Sequence, residues 1–500
     1  MKKWESIEQV HQHALKAENK SIKEVVKEET VQNYYNKPTN KGWIGNSIEE
    51  DFFGIANNNR DEPDIPYLNL EIKITPILQT KRGWSAKERL VLNIFNFHDE
   101  YKYDFFNSSF YKKSNLMEIL FYEYQKEIDS PELIIKKAAQ INLSDLPKED
   151  LLIIQDDWNK IVDKIKKGKA EELSDSLTKY LGATTKGGKT EKNLTTQPFS
   201  DKKAHRRSFT FKTTYMTQFI RRLMNEDEKN EKIVSDISLL KEKSFEEIVL
   251  SNFEPYIGKT KEVLARLFHV HVPKRNDKAS SAMLAKKMLN LKNDIQETEE
   301  FKKAGISVKI ITVEKGKKKT TEGLKITMPD YPEFSPLDLV QETWETSTLK
   351  EFLSSIQFLF VVFEKDNDTT FFKGAKFWRL PYNDLENEVR KTWEETKNVF
   401  KNGVELTYKK YKRPLKSTGK EYYVLNNLPK SSDTPMLHMR PSSEYACYDS
   451  NESYAMQLPV KSKWFERPTN LKHELTDFYM TKQAWWLNSD YIYKQVKDLF

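Results

Sequence analysis

Apolar and polar residues nearly alternate from Leu68 to Ile74, within PDIPYLNLEIKIT from Pro63, and a period of two predicts a strand with one buried face. Upstream the period lengthens. Residues 4 to 27 read as two short helices broken near Glu18 to Lys20, with Val10, Ala14, Ile22 and Val25 as core. In KGWIGNSIEEDFFG, Lys41 to Gly54, Ile44, Ile48 and Phe52 recur every four residues as a buried helical stripe, while Lys41, Gly45 and Glu49 share another face. The polar NNNRDEP from Asn57 turns this helix into the strand. Downstream, ERLVLNIFNF predicts a second strand antiparallel to the first, and Met117 to Tyr124 a third. Glu149 to Lys167 is an amphipathic helix with Ile153, Ile154, Trp158, Ile161, Val162 and Ile165 on one face, stopped by Gly168. A strand with Phe209 and Phe211 on one face then leads into a helix ending near Leu223.

The first strand carries candidate chemistry. Glu71 and Lys73, two apart, point the same way, and Asp64, beyond Pro66, folds back beside Glu71. Two carboxylates beside one ammonium suit metal-assisted phosphodiester hydrolysis, in which hard oxygens hold Mg²⁺ and the lysine positions the attacking water. In a chain with 82 basic and 75 acidic residues, chance alone gives roughly two matches to acid-x6-acid-x-base, so the context has to decide. Gly45 costs helix stability and makes sense where something approaches closely, and Glu49, one turn further on, supplies a third carboxylate.

K-G-W-x-G-x-x-x-E followed by D-x6-E-x-K, carried by Lys41, Glu49, Asp64, Glu71 and Lys73, resembles the MutH family of GATC-specific endonucleases, which includes type II restriction enzymes of the Sau type. The resemblance implies an α/β, restriction-endonuclease-like fold, a mixed β-sheet flanked by helices. It also implies that Glu49, Asp64 and Glu71 bind the metal and that Lys73 assists the water. Asp157-Trp158, Gly168 and Glu172-Leu173 fit the end of the family's helix before its recognition strand. Lys113 stands near a further family lysine, with a solvated surface lysine as the alternative, and Lys41 is grouped with it as a DNA-binding candidate. The family reads R-P-K where Thr184, Thr185 and Lys186 stand, so only Lys186 carries over. YLGATTKGGKT, Tyr180 to Thr190, comes close to a P-loop, but Ala183 occupies a required glycine position, and it is read as a flexible basic loop gripping DNA. Arg207, Thr210 and Lys212 match a family segment whose polar face enters the groove, with a basic surface turn as the alternative. Arg89 reaches the site or DNA, or is an exposed strand residue.

An internal repeat reshapes this picture. FEPYIGKTKEVLARLF from Phe253 echoes ALKAENKSIKEVV, Trp393 to Gly403 is spaced like Trp158 to Gly168, and WWLNSDYI from Trp485 parallels FTFKTTYM from Phe209. Two tandem domains follow, 1–232 and 233–500, joined at the polar EDEKNEK from Glu226 to Lys232. In the second copy Lys286 falls at the Glu49 position, Glu300 at Asp64, Ser307 at Glu71 and Lys309 at Lys73. One acid beside two lysines is a poor Mg²⁺ site, so this half is not expected to cut. It keeps an R-P dipeptide in LHMRPS, and Arg440 and Asn488 are its candidate DNA contacts. It either binds a second DNA copy as an effector or is a purely structural lobe.

Composition changes little. A net charge of +7 permits a polyanionic partner without requiring one, and a single cysteine, Cys447, excludes an intramolecular disulfide and gives no zinc cluster. The start lacks an apolar h-region and the longest apolar stretch, near Phe352 to Phe363, is too short to cross a bilayer, so a cytoplasmic bacterial protein with no membrane partner is expected. His11 and His13 read as surface residues, and His269, His271, His438 and His473 as ordinary polar ones. The resulting expectation is a Mg²⁺-dependent type II restriction endonuclease cutting duplex DNA at GATC. It would pair transiently with a second copy on DNA and share its system with a methyltransferase that forms no stable complex. The alternatives are a mismatch-repair nicking enzyme and a non-cleaving DNA-binding regulator.

Overall fold

The alternation at Leu68 to Ile74 continues into a ten-residue strand, β1 (Glu71–Thr80), on which the first half is built. The computed structural model describes residues 3–36, 42–56, 62–80, 82–187, 193–226, 230–271, 277–328, 333–414 and 421–500. These form two compact units, 1–252 with 289–307 and 253–288 with 308–500.

In the first unit the strands are β1, β2 (Gly83–Ala86), β3 (Leu90–Phe95), β4 (Leu116–Glu123), β5 (Ile135–Asn142), β6 (Leu181–Thr185), β7 (Leu194–Gln197), β8 (Ser200–His205) and β9 (Arg207–Phe211). They assemble into a β2-β1-β4-β5 sheet, a β3-β9-β6 sheet and a β7-β8 hairpin. β1 and β4 are parallel, with Glu71 opposite Met117 and Lys73 opposite Ile119. β3 is not the antiparallel neighbour of β1 that its sequence predicts. That place belongs to β2, and β3 pairs with β9 instead. Aromatic packing explains the exchange, since Phe95 stacks on Phe209 at 4.1 Å and Phe209 lies 5.5 Å from Phe110. The stretch from Tyr180 is likewise a strand as far as Thr185, with Leu181 and Ala183 buried, rather than a loop.

The Lys148–Lys166 helix buries every residue of its predicted stripe. It also buries Asp157, whose carboxylate accepts the backbone N–H groups of Lys179, Tyr180 and Leu181 at 2.8, 2.6 and 3.0 Å. This ties the helix to the start of β6. At the helix's first turn Asp150 receives both ends of a buried ion pair with Lys303 Nζ, 2.8 Å to each oxygen, which clamps the Leu289–Ser307 segment into the same unit. Among the described residues no helix is long and apolar enough to cross a membrane.

The second unit holds β10 (Ile306–Glu314) from Val308 onward, β11 (Leu324–Lys325), β12 (Gln357–Asp366), β13 (Thr369–Trp378), β14 (Glu405–Lys410), β15 (Tyr422–Asn426), β16 (Leu437–Pro441), β17 (Ala455–Gln457), β18 (Lys463–Phe465), β19 (Tyr479–Thr481) and β20 (Gln483–Leu487). Its β10-β12-β13 sheet follows the order of β1-β4-β5, and β11-β20-β16 follows β3-β9-β6, with both pairings antiparallel in each. The registers agree residue by residue with the sequence repeat: Arg440 faces Ala484 as Thr184 faces Ser208. Trp393 is buried on a helix ending at Gly403 (φ +90°), as Trp158 is on one ending at Gly168 (φ +65°). The chain is therefore a tandem α/β protein, each half built on a matching pair of sheets flanked by helices, to which the first unit adds the β7-β8 hairpin and the second adds β15-β14-β18 and β17-β19.

Removing the Asp157 carboxylate strands three buried N–H groups, so Asp157→Ala is expected to cost the first unit about 3–5 kcal/mol. Denaturant unfolding measures it, and a loss below about 1 kcal/mol contradicts this role.

Candidate active site

At the start of β1 two carboxyl groups are locked side by side by the backbone. Asp64 Oδ2 accepts the Ile72 N–H at 2.9 Å, and Glu71 Oε2 accepts the Asp64 N–H at 3.2 Å. The turn that allows this is the short 3₁₀ segment Pro66–Leu68, closed by Asn69 in the left-handed region (φ 49°) and by the bridge between Ile65 and Leu70. Lys73, on the same face of β1 as Glu71, donates to Glu71 Oε1, and Lys113 Nζ stands 3.9 Å from that oxygen.

Glu49 comes from a helix that changes type beneath it. Trp43–Ser47 is α-helical, Ile48–Phe52 is π-helical, and Phe53 N–H bonds back to the Ile48 carbonyl at 3.0 Å. A π-turn opens the ladder and re-aims the side chains that it carries. Several contacts hold it. The Phe52 carbonyl accepts from His13 Nε2 at 2.9 Å, with His13 stacked on the Phe52 ring, and Trp4 Nε1 donates to the Phe53 carbonyl at 3.2 Å. His13 is thus a positioning residue rather than a surface one. His11 is engaged too, its Nδ1 lying 3.0 Å from the fully buried Glu118 on β4. A Cβ on Gly45 would meet no protein atom within 4 Å, so packing inside the protein does not demand glycine there.

The electrostatics are those of crowded acids. Burial, and then the Asp64 carboxylate, push Glu49 up to about 7, with Lys73 and Lys113 pulling the other way. Glu71 is also raised, chiefly by burial and against the pull of Lys73. Among the described residues no three His, Cys, Asp or Glu side chains already form a closed metal cage. The donor set nonetheless fits a hard divalent ion. An octahedral Mg²⁺ needs only one or two fixed carboxylates, its other positions going to water and phosphate, and Asp64 and Glu71 are fixed by backbone hydrogen bonds.

The expected DNA-facing residues divide. Lys41 lies outside the described residues. Lys186 is exposed at the end of β6, its N–H bonded to the Arg206 carbonyl at 2.8 Å. Arg89 is held by Asp175, Nη2 to Oδ2 at 3.2 Å. The strand expected to offer Arg207, Thr210 and Lys212 to a groove is covered instead. Thr210 is fully buried, Arg207 donates to the Ala183 carbonyl at 3.1 Å, and the buried Lys212 ammonium donates to the Thr178 carbonyl. In the second unit Arg440 is exposed and lies 4.8 Å over the Trp486 ring, whereas Asn488 is buried with His438 Nδ1 at 2.5 Å and the Thr434 carbonyl at 2.7 Å. Glu300 accepts the N–H groups of Ile233 and Val234, each at 3.0 Å.

Sequence reasoning missed Asp175, which orients Arg89, and Trp486, which carries Arg440. Asp175 had no local signal, since its contact depends on Gly182, where a Cβ would fall 2.7 Å from Asp175 Oδ1. Trp486 was legible in principle as the repeat's counterpart of Thr210.

Residues 53–157 match the family model of the DNA mismatch repair enzyme MutH, a span that includes Asp64, Glu71, Lys73 and Lys113. The chain is also 36% identical over 504 residues to the type II restriction enzyme Sau3AI of Staphylococcus aureus, covering 98% of each.

Because Glu49 sits near 7 in the fold against 4.5 ordinarily, folding favours its protonated form. Its contribution is fully present below about pH 4.5 and is lost as the pH rises through about 7. In a chelator, Glu49→Gln is therefore expected to stabilise the protein by about 1–2 kcal/mol at pH 8 and hardly at all at pH 4, the figure being discounted for partial exposure. Thermal melts at the two pH values check this, and equal shifts contradict it.

Proposed function

This chain belongs to the MutH-like restriction endonucleases of the Sau type, and from that premise we propose that it cuts duplex DNA at GATC with Mg²⁺ through Glu49, Asp64, Glu71 and Lys73. Its class is that of a type II site-specific deoxyribonuclease acting on double-stranded DNA with a divalent metal ion. The observation that carries the assignment of residues is the locked Asp64–Glu71 pair with Lys73 on Glu71 Oε1.

Asp64, Glu71 and Glu49 would hold the ion, which when bound polarises the phosphoryl oxygen and lowers the pKa of water. Lys73, anchored on Glu71, orients the attacking water in line with the scissile bond, and Lys113 beside it neutralises the phosphate. Hydrolysis then leaves a 5′-phosphate. Lys41, Lys186 and Arg89 bind the DNA around this centre, with Arg207, Thr210 and Lys212 supporting the recognition strand and becoming contacts only if that face opens.

The proposed halves are a nuclease, 1–232, and a non-cutting effector, 233–500, in which Arg440 contacts a second GATC copy and Asn488 shapes the contact by holding His438. With one centre per chain, cutting both strands requires a transient pair of chains on the palindrome or sequential nicking by one. Protection of host DNA falls to a methyltransferase of the same system, acting on the same sequence without a stable complex.

With Mg²⁺, a GATC plasmid is expected to become linear fragments, and Glu71→Ala to lower the rate by at least about a thousandfold. Open circles alone would favour a nicking enzyme, and a gel shift without product a regulator. A two-site plasmid is expected to be cut faster than a one-site plasmid; equal rates remove the effector role.

A further inference from the structure

In the second unit, the position of the catalytic lysine has changed its company. Lys309 on β10 corresponds to Lys73, but its charged neighbours are Lys278 and Lys325. Each has a defined place. Lys278 begins the Asp277–Met288 helix, at the repeat position of Lys41. Lys325 is on β11, opposite Trp486 of β20. The return arm after β10 is folded back on it by the Val313–Thr320 bridge and by the Thr321 N–H to Thr312 carbonyl bond of 2.9 Å, and the next residue of the arm, Glu322, pairs with Lys278, two residues before β11 begins.

Three ammonium groups gathered in this way repel one another and suit an anion. Lys309 is half-buried, and burial, with Lys278 and Lys325 alongside, holds its ammonium below the ordinary lysine value. Among the described residues Glu322, which is exposed, engages Lys278. Strand register continues the positive face. Lys325, Trp486 and His438 stand opposite one another, and Arg440, two residues along β16 from His438, lies over the Trp486 ring. The Trp486 Nε1 is buried and has no hydrogen-bond partner among the described residues.

We propose that the degenerate centre of the second unit is a metal-independent phosphate site, in which Lys309, Lys278 and Lys325 grip a backbone phosphate of duplex DNA. It rests on the reading that the second half binds DNA, and it gives the exchange of acids for lysines a function. Where the first unit uses carboxylates to bring a cation to the phosphate, the second presents fixed cations to it directly. Grip replaces cutting, because lysine and serine stand where the first unit has Glu49 and Glu71. Arg440 and Trp486, on the neighbouring sheet, place the base-contacting face of the same duplex beside that phosphate.

The test uses the full chain carrying Glu71→Ala, titrated with a GATC duplex in EDTA by calorimetry at several salt concentrations. Two binding events per chain are expected, and Arg440→Ala identifies the second-half event as the one it weakens. Lys309→Gln should weaken that same event about tenfold and make its log-affinity against log-salt slope shallower by about one, with the other event unchanged. Lys309→Arg should restore most of both. An unchanged affinity and slope in Lys309→Gln overturns the phosphate site while leaving DNA binding by the second half intact. A weakened event with an unaltered slope overturns it too, since it marks a structural lysine. A single event in the parent overturns the DNA-binding reading and this site with it.

Discussion

Repulsion among carboxylates at the start of β1 is the constraint around which the first unit is arranged. Two unit charges about 4 Å apart near a protein surface interact by about 4 kcal/mol, so acids so placed persist only if other groups hold them. Here the holding is done by backbone. Asp64 is fixed on the Ile72 N–H, Glu71 on the Asp64 N–H, and Lys73 covers one oxygen of Glu71. Glu49 is pushed toward its neutral form. A divalent ion would resolve the same conflict more completely.

Elements remote from the chemistry serve this arrangement. The π-turn carrying Glu49 is pinned by His13 and Trp4, both from the first fifteen residues. Parallel pairing with β4 fixes the register of β1, and Asp157 joins the long helix to the strand that leads to Lys186. The second unit keeps the order of the two central sheets, without a counterpart of β2, and carries lysine and serine where Glu49 and Glu71 stand in the first. Under the proposed assignment the fold alone does not decide which half cuts; the residues at three or four positions of one strand and one helix would.

Much of this was legible in the chain. Period-two alternation located β1, the four-residue stripe located the helix of Glu49, and all six apolar residues predicted for the buried face of the Lys148–Lys166 helix are buried. Local patterns report a residue's own face and say little about its partner across space. That is why β3 was assigned to the wrong neighbour, its place being decided by Phe95, Phe110 and Phe209 from three distant segments. Polar residues misled for a related reason. Lys212, Thr210, Asn488 and Asp157 are buried where carbonyls, N–H groups or packing receive them, and a sequence marks them only as polar. The paired acids were read from spacing, and the repeat supplied the contrast that gave the spacing meaning.

The most direct test of the central claim is a count of bound metal. Mn²⁺ titration of the full chain with an uncleavable GATC duplex, followed by electron paramagnetic resonance, is expected to show tight binding confined to the first-half centre and lost in Asp64→Ala and Glu71→Ala, with Ser307→Ala unaffected. Tight Mn²⁺ binding that survives both first-half substitutions would contradict the account.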